Sequence, residues 1–376
     1  MTLQVGSGQV DIQRKPKRSI SMLRKISGPA IALLLSLAIT ALIISLTGKD
    51  PLLAFESMFT GAFGTMNSLG ETLIKTVPLM LAGLGLTICY RTGLTSIGAE
   101  GQIVMGGLMA TLVGVYLGNL PSYILIPLAF LAAMIAGGIW AGIAGYLKAK
   151  LGVSEVINTI MLNYIATFFI SYLVDGPLRE PPGFYPQSSL LSENAWLSYL
   201  IKGTRMHTGV IVAVIAAIVV YILLWKLPLG YQMRTVGYNP IAARTNGINV
   251  SRNMVLAMFL SGVFAGLAGA IEIMGLHHRL MNGFSSSYGF DAMAVALLGR
   301  LHPVGVMIAS LLFAAMRVGA NTMQRVVQVP VALVNVMQGV VIVMVLMETV
   351  LRNFRISFKK PKAACDTATP AAGKEA

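Results

Sequence analysis

The residues of this chain that could do chemistry are few, and they stand out because almost everything around them is apolar. Of 376 residues, 11% are charged and 56% hydrophobic. Glu100, Asp291 and Arg300 sit where a break precedes or interrupts an apolar run. A charge near the centre of a bilayer costs about 2.5–3.5 kcal/mol on insertion scales, so such residues need a task. Glu100 and Asp291 also belong to related strings. Ser96-Ile97-Gly98-Ala99-Glu100-Gly101 and Ser287-Tyr288-Gly289-Phe290-Asp291-Ala292 both read Ser-x-Gly-x-acid-small ahead of an apolar stretch. Two readings fit. The strings are broken helices of an inverted repeat facing a central site, or each acid merely complements a helix N-terminus for about 0.3–1 kcal/mol.

Amide, hydroxyl and aromatic groups inside apolar runs suit a pathway for an uncharged polar solute. Gln102, Asn158, Asn163, Tyr164, Tyr288, Phe290, Asn335 and Gln338 fit that description. Hydrogen bonding between helices is the competing role for each. Lys75, Glu272, Arg317 and Glu348 fall near the ends of apolar runs and are expected to snorkel toward the interface. The 22 methionines suit flexible packing rather than a metal path.

Other chemistries are excluded. There is no G-x-x-x-x-G-K-[ST] phosphate loop, the nearest string being Gly48-Lys49-Asp50. No Ser–His–Asp set or carboxylate pair shares a plausible face, and four histidines spread from His207 to His302 suggest no centre. Cys89 and Cys365 give neither a disulfide framework nor a ligand cluster. The chain is expected to have no catalytic residues, no metal and no cofactor of its own.

The elements that must position these residues are membrane spans. A soluble domain carries about 25% charged residues, more than twice the share here. An all-α polytopic membrane protein is therefore expected, with spans of roughly 20 apolar residues. The stretches 29–47, 72–89, 103–117, 123–146, 156–174, 208–225, 255–274 and 331–351 qualify, and 291–298 with 303–317 forms a weaker, interrupted pair. Counting that pair as two gives about ten crossing or partly crossing helices, with full crossing or re-entry left open. An even count returns both basic ends to one side, together with Lys148, Lys150, Lys226, Arg234, Arg244 and Arg252. The positive-inside rule then makes the N and C termini cytoplasmic. The organisation is a basic arm at 1–25, a membrane domain at 26–352 and a basic tail at 353–376, expected to be disordered. Within the domain lie an external loop at 175–206, with four prolines, and a cytoplasmic loop at 226–253.

That cytoplasmic loop encodes a short helix at both ends. Asn239 suits the N-cap, Pro240 the first helical position and Gly247 the left-handed residue past the end. A helix of about two turns is unstable alone and must dock on something. The partner is either its own protein or a separate subunit. The string Gly230-Tyr231-Gln232-Met233-Arg234-Thr235-Val236-Gly237-Tyr238-Asn239-Pro240, continued by Ala242-Ala243-Arg244 and Gly247-Ile248, resembles the coupling loop of ABC importer permeases of the ribose and branched-chain amino acid class. Two more strings, one from Arg91 to Gln102 and one from Val153 to Tyr164, resemble the larger permease of bacterial nucleoside importers served by basic-membrane-lipoprotein-type binding proteins. The likeness runs from about 70 to 351, and Ser96 stands where the family more often has Asn.

The resemblance implies a permease subunit that moves nucleosides or similar ribosides across the inner membrane by alternating access. It implies four kinds of partner: an ATPase subunit holding ATP and Mg, a second and related permease, an extracytoplasmic binding lipoprotein, and the solute. Nucleic acid is not among them. Arg234, Gly237, Asn239, Pro240, Ala242, Ala243, Arg244 and Gly247 would couple to the ATPase. Glu100, Gln102, Asn158, Asn163, Tyr164, Tyr288, Phe290 and Asp291 would line the solute path. The alternatives are an importer for a simple sugar or branched-chain amino acid, and an ion-coupled secondary carrier using Glu100, Asp291 or Glu272.

Overall fold

The computed structural model describes residues 37–343 apart from positions 47, 182, 202, 331, 334, 341 and 342; it also describes Leu34 and Leu35, and the backbone of 2–5, 8–14 and 354–358. Twelve helices are named among those residues, and 332–333 and 335–340 are helical as well. α1 (Leu37–Leu46) and α2 (Pro51–Phe63) come first. The central group follows: α3 (Met66–Arg91), α4 (Ala99–Tyr116), α5 (Ser122–Leu151) and α6 (Glu155–Asp175). Then come α7 (Gly209–Trp225), α8 (Pro228–Tyr238), α9 (Pro240–Thr245) and α10 (Val250–Glu272), which runs on into a π-helical turn over Ile273–His277. α11 (Tyr288–Leu298) and α12 (Pro303–Val327) complete the set.

Each of the ten stretches read from the sequence holds a helix or part of one. Length and apolarity alone qualify five helices as spans, α3, α5, α6, α10 with its π turn, and α12, or six if the bent α7–α8 pair is one span. The interrupted pair resolves unequally. α12 has 25 residues and length enough to cross, whereas α11 has 11 and reaches about 16 Å, half of a ~30 Å hydrocarbon core. The sequence reading omitted α2, which Asp50 caps by accepting from the Leu52 N–H at 2.8 Å. The first and last apolar stretches, at 29–47 and 331–351, lie partly outside the described residues; the basic arm's residues 15–25, Glu348, Cys365 and most of the 353–376 tail lie wholly outside them. One addition to the all-helical expectation is a short antiparallel sheet in which Gly8–Arg14 pairs with both Thr2–Val5 and Phe354–Phe358.

The helices differ in which medium they face. The most apolar window of α3 is 89% buried within the chain, that of α6 only 22%. α6 shows Ile157, Met161, Tyr164, Ile165, Phe168 and Tyr172 to the outside. An apolar face of that size belongs against lipid or another membrane subunit. α3, α4, α5 and α10 pack together as the core. α10 approaches α5 so closely that a Cβ at Gly262 or Gly266 would strike the backbone of Gly137 or Ala133. Gly138 of α5 faces the Phe259 ring, and Gly142 meets little at all.

Residues 175–206 do not form a span. They carry a 3₁₀ turn at Glu193–Ala195 and return across α4 and the π turn. Ser192 Oγ donates to Gly118 O at 3.0 Å, Leu191 N to His278 O at 2.9 Å and Leu197 N to Met274 O at 3.1 Å. The Trp196 and His278 rings stack with centroids 4.2 Å apart.

Candidate functional site

The two Ser-x-Gly-x-acid strings meet. Glu100, in the first turn of α4, receives hydrogen bonds from Ser285 Oγ and from the Gly289 N–H, the latter at 2.8 Å. The first turns of α4 and α11 touch so closely that a Cβ on Gly289 would strike the Glu100 backbone. Glu100 thereby satisfies one of the orphan N–H groups of the α11 N-terminus, a fit of negative charge to the positive end of a helix.

The loop leading into α4 is held by α6. Asn163 accepts from the Gly101 N–H through Oδ1 at 2.9 Å and donates to Ile97 O through Nδ2 at 2.9 Å. Thr159 Oγ1 accepts from the Ile97 N–H at 3.2 Å. Ser96, fully buried, accepts from Gly98 N through Oγ and from Tyr90 OH through its carbonyl. Asn163 stands eight residues past Glu155, about 12 Å along α6, so this irregular backbone lies near mid-membrane depth. Non-helical backbone is tolerated at that depth only where side chains satisfy it.

Asp291 does not mirror Glu100. It pairs with Arg317 of α12, Oδ2 to Nη1, at 3.5 Å. Arg317 also donates to Ser286 O and stacks over the Tyr288 ring, its Cζ 4.6 Å from the centroid. Lys75 of α3 stands over the same ring at 5.7 Å, and its Nζ is 4.0 Å from Glu272 Oε1. Tyr288, 1% exposed, is thus held within a layer of charge made by α3, α10, α11 and α12. Lys75, Glu272 and Arg317 were expected to snorkel, and the structure turns all three inward instead. Paired charges cost less in the interior than single ones, so four helices contributing opposite charges can keep them there. The backbone here is unusual as well: His278, Ser286 and Ser287 all have positive φ, at 55°, 46° and 65°. Such conformations cluster where function constrains the chain.

The other path residues scatter. Gln102 is buried, with Oε1 lacking a partner among the described residues, and Asn158 is half-buried with Nδ2 in the same condition. Tyr164, 58% exposed, faces outward beside Phe168, and Phe290 is 45% exposed. Gln338 is buried and Asn335 exposed. The structure therefore gathers Glu100, Tyr288 and Asp291 together, gives Asn163 a clamping contact and turns Tyr164 away.

At the other end of the helices lies the loop at 226–253. Asn239 Oδ1 accepts from the N–H groups of Ile241 and Ala242 at 3.0 and 3.1 Å, Pro240 opens α9, and Gly247 has φ 77°. Ala243 is buried while Ala242, Ile241 and Arg244 are exposed, so α9 rests on one face and offers the other. α8 is a second helix within a stretch whose composition marks only a loop. Gly237 sits against the Arg91 carbonyl and Gly93, where a Cβ would not fit. Arg234 points inward, stacked on Trp225 at 5.9 Å; Arg91 shares that ring at 5.4 Å and donates to Leu301 O at 2.9 Å and Arg300 O at 3.2 Å. His302 packs 4.8 Å from Trp225. Arg300, prominent in the sequence, thus belongs to the turn joining α11 and α12.

A bundle of apolar helices with a buried layer of charge and a capped helical knob at one end is the architecture of a multi-pass membrane subunit. The chain matches the family described as branched-chain amino acid transport system / permease component over residues 68–346, and it belongs to that family. It is a permease subunit of an ABC importer, which removes the ion-coupled carrier from consideration. It is 35% identical to a glucose ABC transporter permease of Haloferax volcanii over 98% of this chain and 99% of that one. Identity is 36% to a guanosine ABC transporter permease of Bacillus subtilis, covering 89% and 97% of the two chains. It is 33% to a nucleoside ABC transporter permease of Lactococcus lactis, covering 94% and 98%.

Proposed function

We propose that this permease carries nucleosides or similar ribosides inward, delivered by an extracytoplasmic binding lipoprotein and driven by a separate ATPase subunit that holds the ATP and Mg. The observation that carries the reading is α9: a two-turn helix, capped at both ends, with Ala243 seated on its own protein and Ile241 and Arg244 presented outward. Ile241 and Tyr238, 78% and 75% exposed, leave apolar surface beside Arg244 that a docked partner would cover. Arg244 is the outward cation that would meet acidic groups of the ATPase; Arg234 and Gly237 would act behind it, fixing α8 to α3. The positive bias of this side makes it cytoplasmic, with both termini on the same side. The exposed apolar face of α6 suits lipid or a second, related permease.

The solute class is supported by what guanosine, other ribosides and glucose share, a ring bearing adjacent hydroxyls, which a layer of mixed charge can bind. A riboside is favoured over a free sugar because two of the three relatives are permeases for nucleosides. Two measurements test the reading. Arg244→Glu is expected to abolish uptake and weaken ATPase association while leaving membrane insertion intact, and wild-type uptake in that variant would refute the docking role. Binding assays on the cognate extracytoplasmic protein should rank guanosine above glucose; the reverse order would transfer the chain to sugar import.

A further inference from the structure

We propose that Glu272, Lys75 and His277 form the subsite that receives adjacent hydroxyl groups of the solute, which deepens the reading of this chain as a riboside permease. Glu272 ends α10 and is 2% exposed, yet its Oε1 has no hydrogen-bond donor among the described residues. His277 Nε2 lies 3.5 Å away and Lys75 Nζ 4.0 Å away, ion-pairing distances that form no hydrogen bond to Oε1 and leave both nitrogens near enough to share a ligand with it. Positions 272 and 277 would stand about 140° apart on a continuous α-helix. The π turn over Ile273–His277, closed by His278 N on Ile273 O at 2.7 Å, advances five residues per bonded turn and returns His277 to the Glu272 side. The sequence therefore gives no hint of the pair.

The chemistry selects the ligand. An acceptor without a donor, flanked by two nitrogen groups, calls for a solute atom that both donates and accepts. A hydroxyl does so: it donates to Oε1 and accepts from the Lys75 ammonium, while its neighbour on the ring bridges Oε1 and His277. A metal cation would face the Lys75 ammonium, and no group of three metal-ligating residues occurs among the described residues. An anion would face the Glu272 carboxylate. The site lies 16 residues from Arg91 on α3, about 24 Å along the helix and so within the ~30 Å thickness of a hydrocarbon core.

The test uses the complete importer in proteoliposomes with its binding protein saturated by either guanosine or 2′,3′-dideoxyguanosine, so that turnover reports the permease step. Wild type should move guanosine at least about tenfold faster, the worth of roughly one lost hydrogen bond. Glu272→Gln should slow guanosine by about tenfold and leave the dideoxy solute within about twofold. His277→Asn, at a side chain 24% exposed and so tolerant of change, should show the same selectivity in weaker form and carries the test if Glu272→Gln fails to assemble. Equal loss for both solutes, no loss in either variant, or wild type moving both at one rate would overturn the subsite. If wild type carries no guanosine, the riboside reading fails separately, and the same variants are read with glucose against 3-deoxyglucose.

Discussion

Glu100 holds the start of α11, and replacing it should loosen that helix before it disturbs any other. The carboxylate accepts from the Gly289 N–H and from Ser285 Oγ in a buried setting. Hydrogen bonds to a charged group contribute about 1.5–3 kcal/mol each, against about 0.5–1.5 for neutral ones. Glutamine can keep its carbonyl on Gly289 and turn its amide to Ser285, whose hydroxyl can accept as readily as donate. Glu100→Gln therefore exchanges two charge-assisted bonds for two neutral ones, at a cost of roughly 2 kcal/mol, or about thirtyfold in the local opening equilibrium. Glu100→Ala strands both donors, each at about 1–3 kcal/mol, and should cost more. Hydrogen exchange by mass spectrometry reads this locally. The peptide spanning Tyr288–Leu298 should exchange about thirtyfold faster in the glutamine variant and faster still in the alanine variant, with α6 unchanged. Wild-type protection of that peptide in Glu100→Ala would refute the clamp.

Three further outcomes follow from named contacts. Asn163→Ala should lower the thermal midpoint in detergent, because it strands the Gly101 N–H and the Ile97 carbonyl at about 1–3 kcal/mol each; Asn158→Ala, which removes an amide whose Nδ2 bonds nothing among the described residues, should change it by less than about 0.5 kcal/mol. His207, in the external segment, has its pKa lowered to about 4 by burial, opposed by Glu272 and assisted by His278. Its native pKa lies below the unfolded value of about 6.5, so its stabilising effect is complete above pH ~6.5 and is lost as pH falls toward 4, by up to roughly 3 kcal/mol; detergent melts across that window should show the slope and His207→Gln should flatten it. Trp225→Leu removes the ring shared by Arg91 and Arg234 and should cut uptake at least about tenfold without weakening ATPase association, which separates it from Arg244→Glu; normal uptake would show that the stack is ornamental to transport.

What the sequence revealed and what it hid divide along the range of the interactions involved. The capping of α9 by Asn239, Pro240 and Gly247 is local, written within nine residues, and legible. So are the long apolar runs, because hydrophobicity over about 20 residues needs no tertiary knowledge. α2 escaped because its 13 residues fall short of a span and Glu56 interrupts them. α8 escaped because Gly230 and Gly237 argue against helix; Gly237 is there for the Arg91 turn, a contact 146 residues away in sequence. Lys75, Glu272 and Arg317 are hidden for a related reason. Each looks like an interfacial charge when its own helix is read alone, and only the convergence of four helices on Tyr288 gives it a partner.

Those convergent contacts give α11 a particular mechanical standing. It is too short to cross the membrane by itself, and it is tied at both ends by side chains from other helices. Its first turn is held by Glu100 from α4 and by Arg317 from α12. The turn past its last residue, Arg300-Leu301, keeps two left-handed residues in place through the Arg91 guanidinium, which shares the Trp225 ring with Arg234 of α8. α11, about 16 Å long, is thereby fixed at both ends by three other helices. Arg234 of α8, the Trp225 ring and Arg91 thus form a continuous set of contacts from the loop at 226–253 to the Arg300-Leu301 turn. The polar clamps on irregular backbone, Asn163 on the α4 entry and Glu100 on the α11 start, are separate from this stack and hold the opposite end of α11.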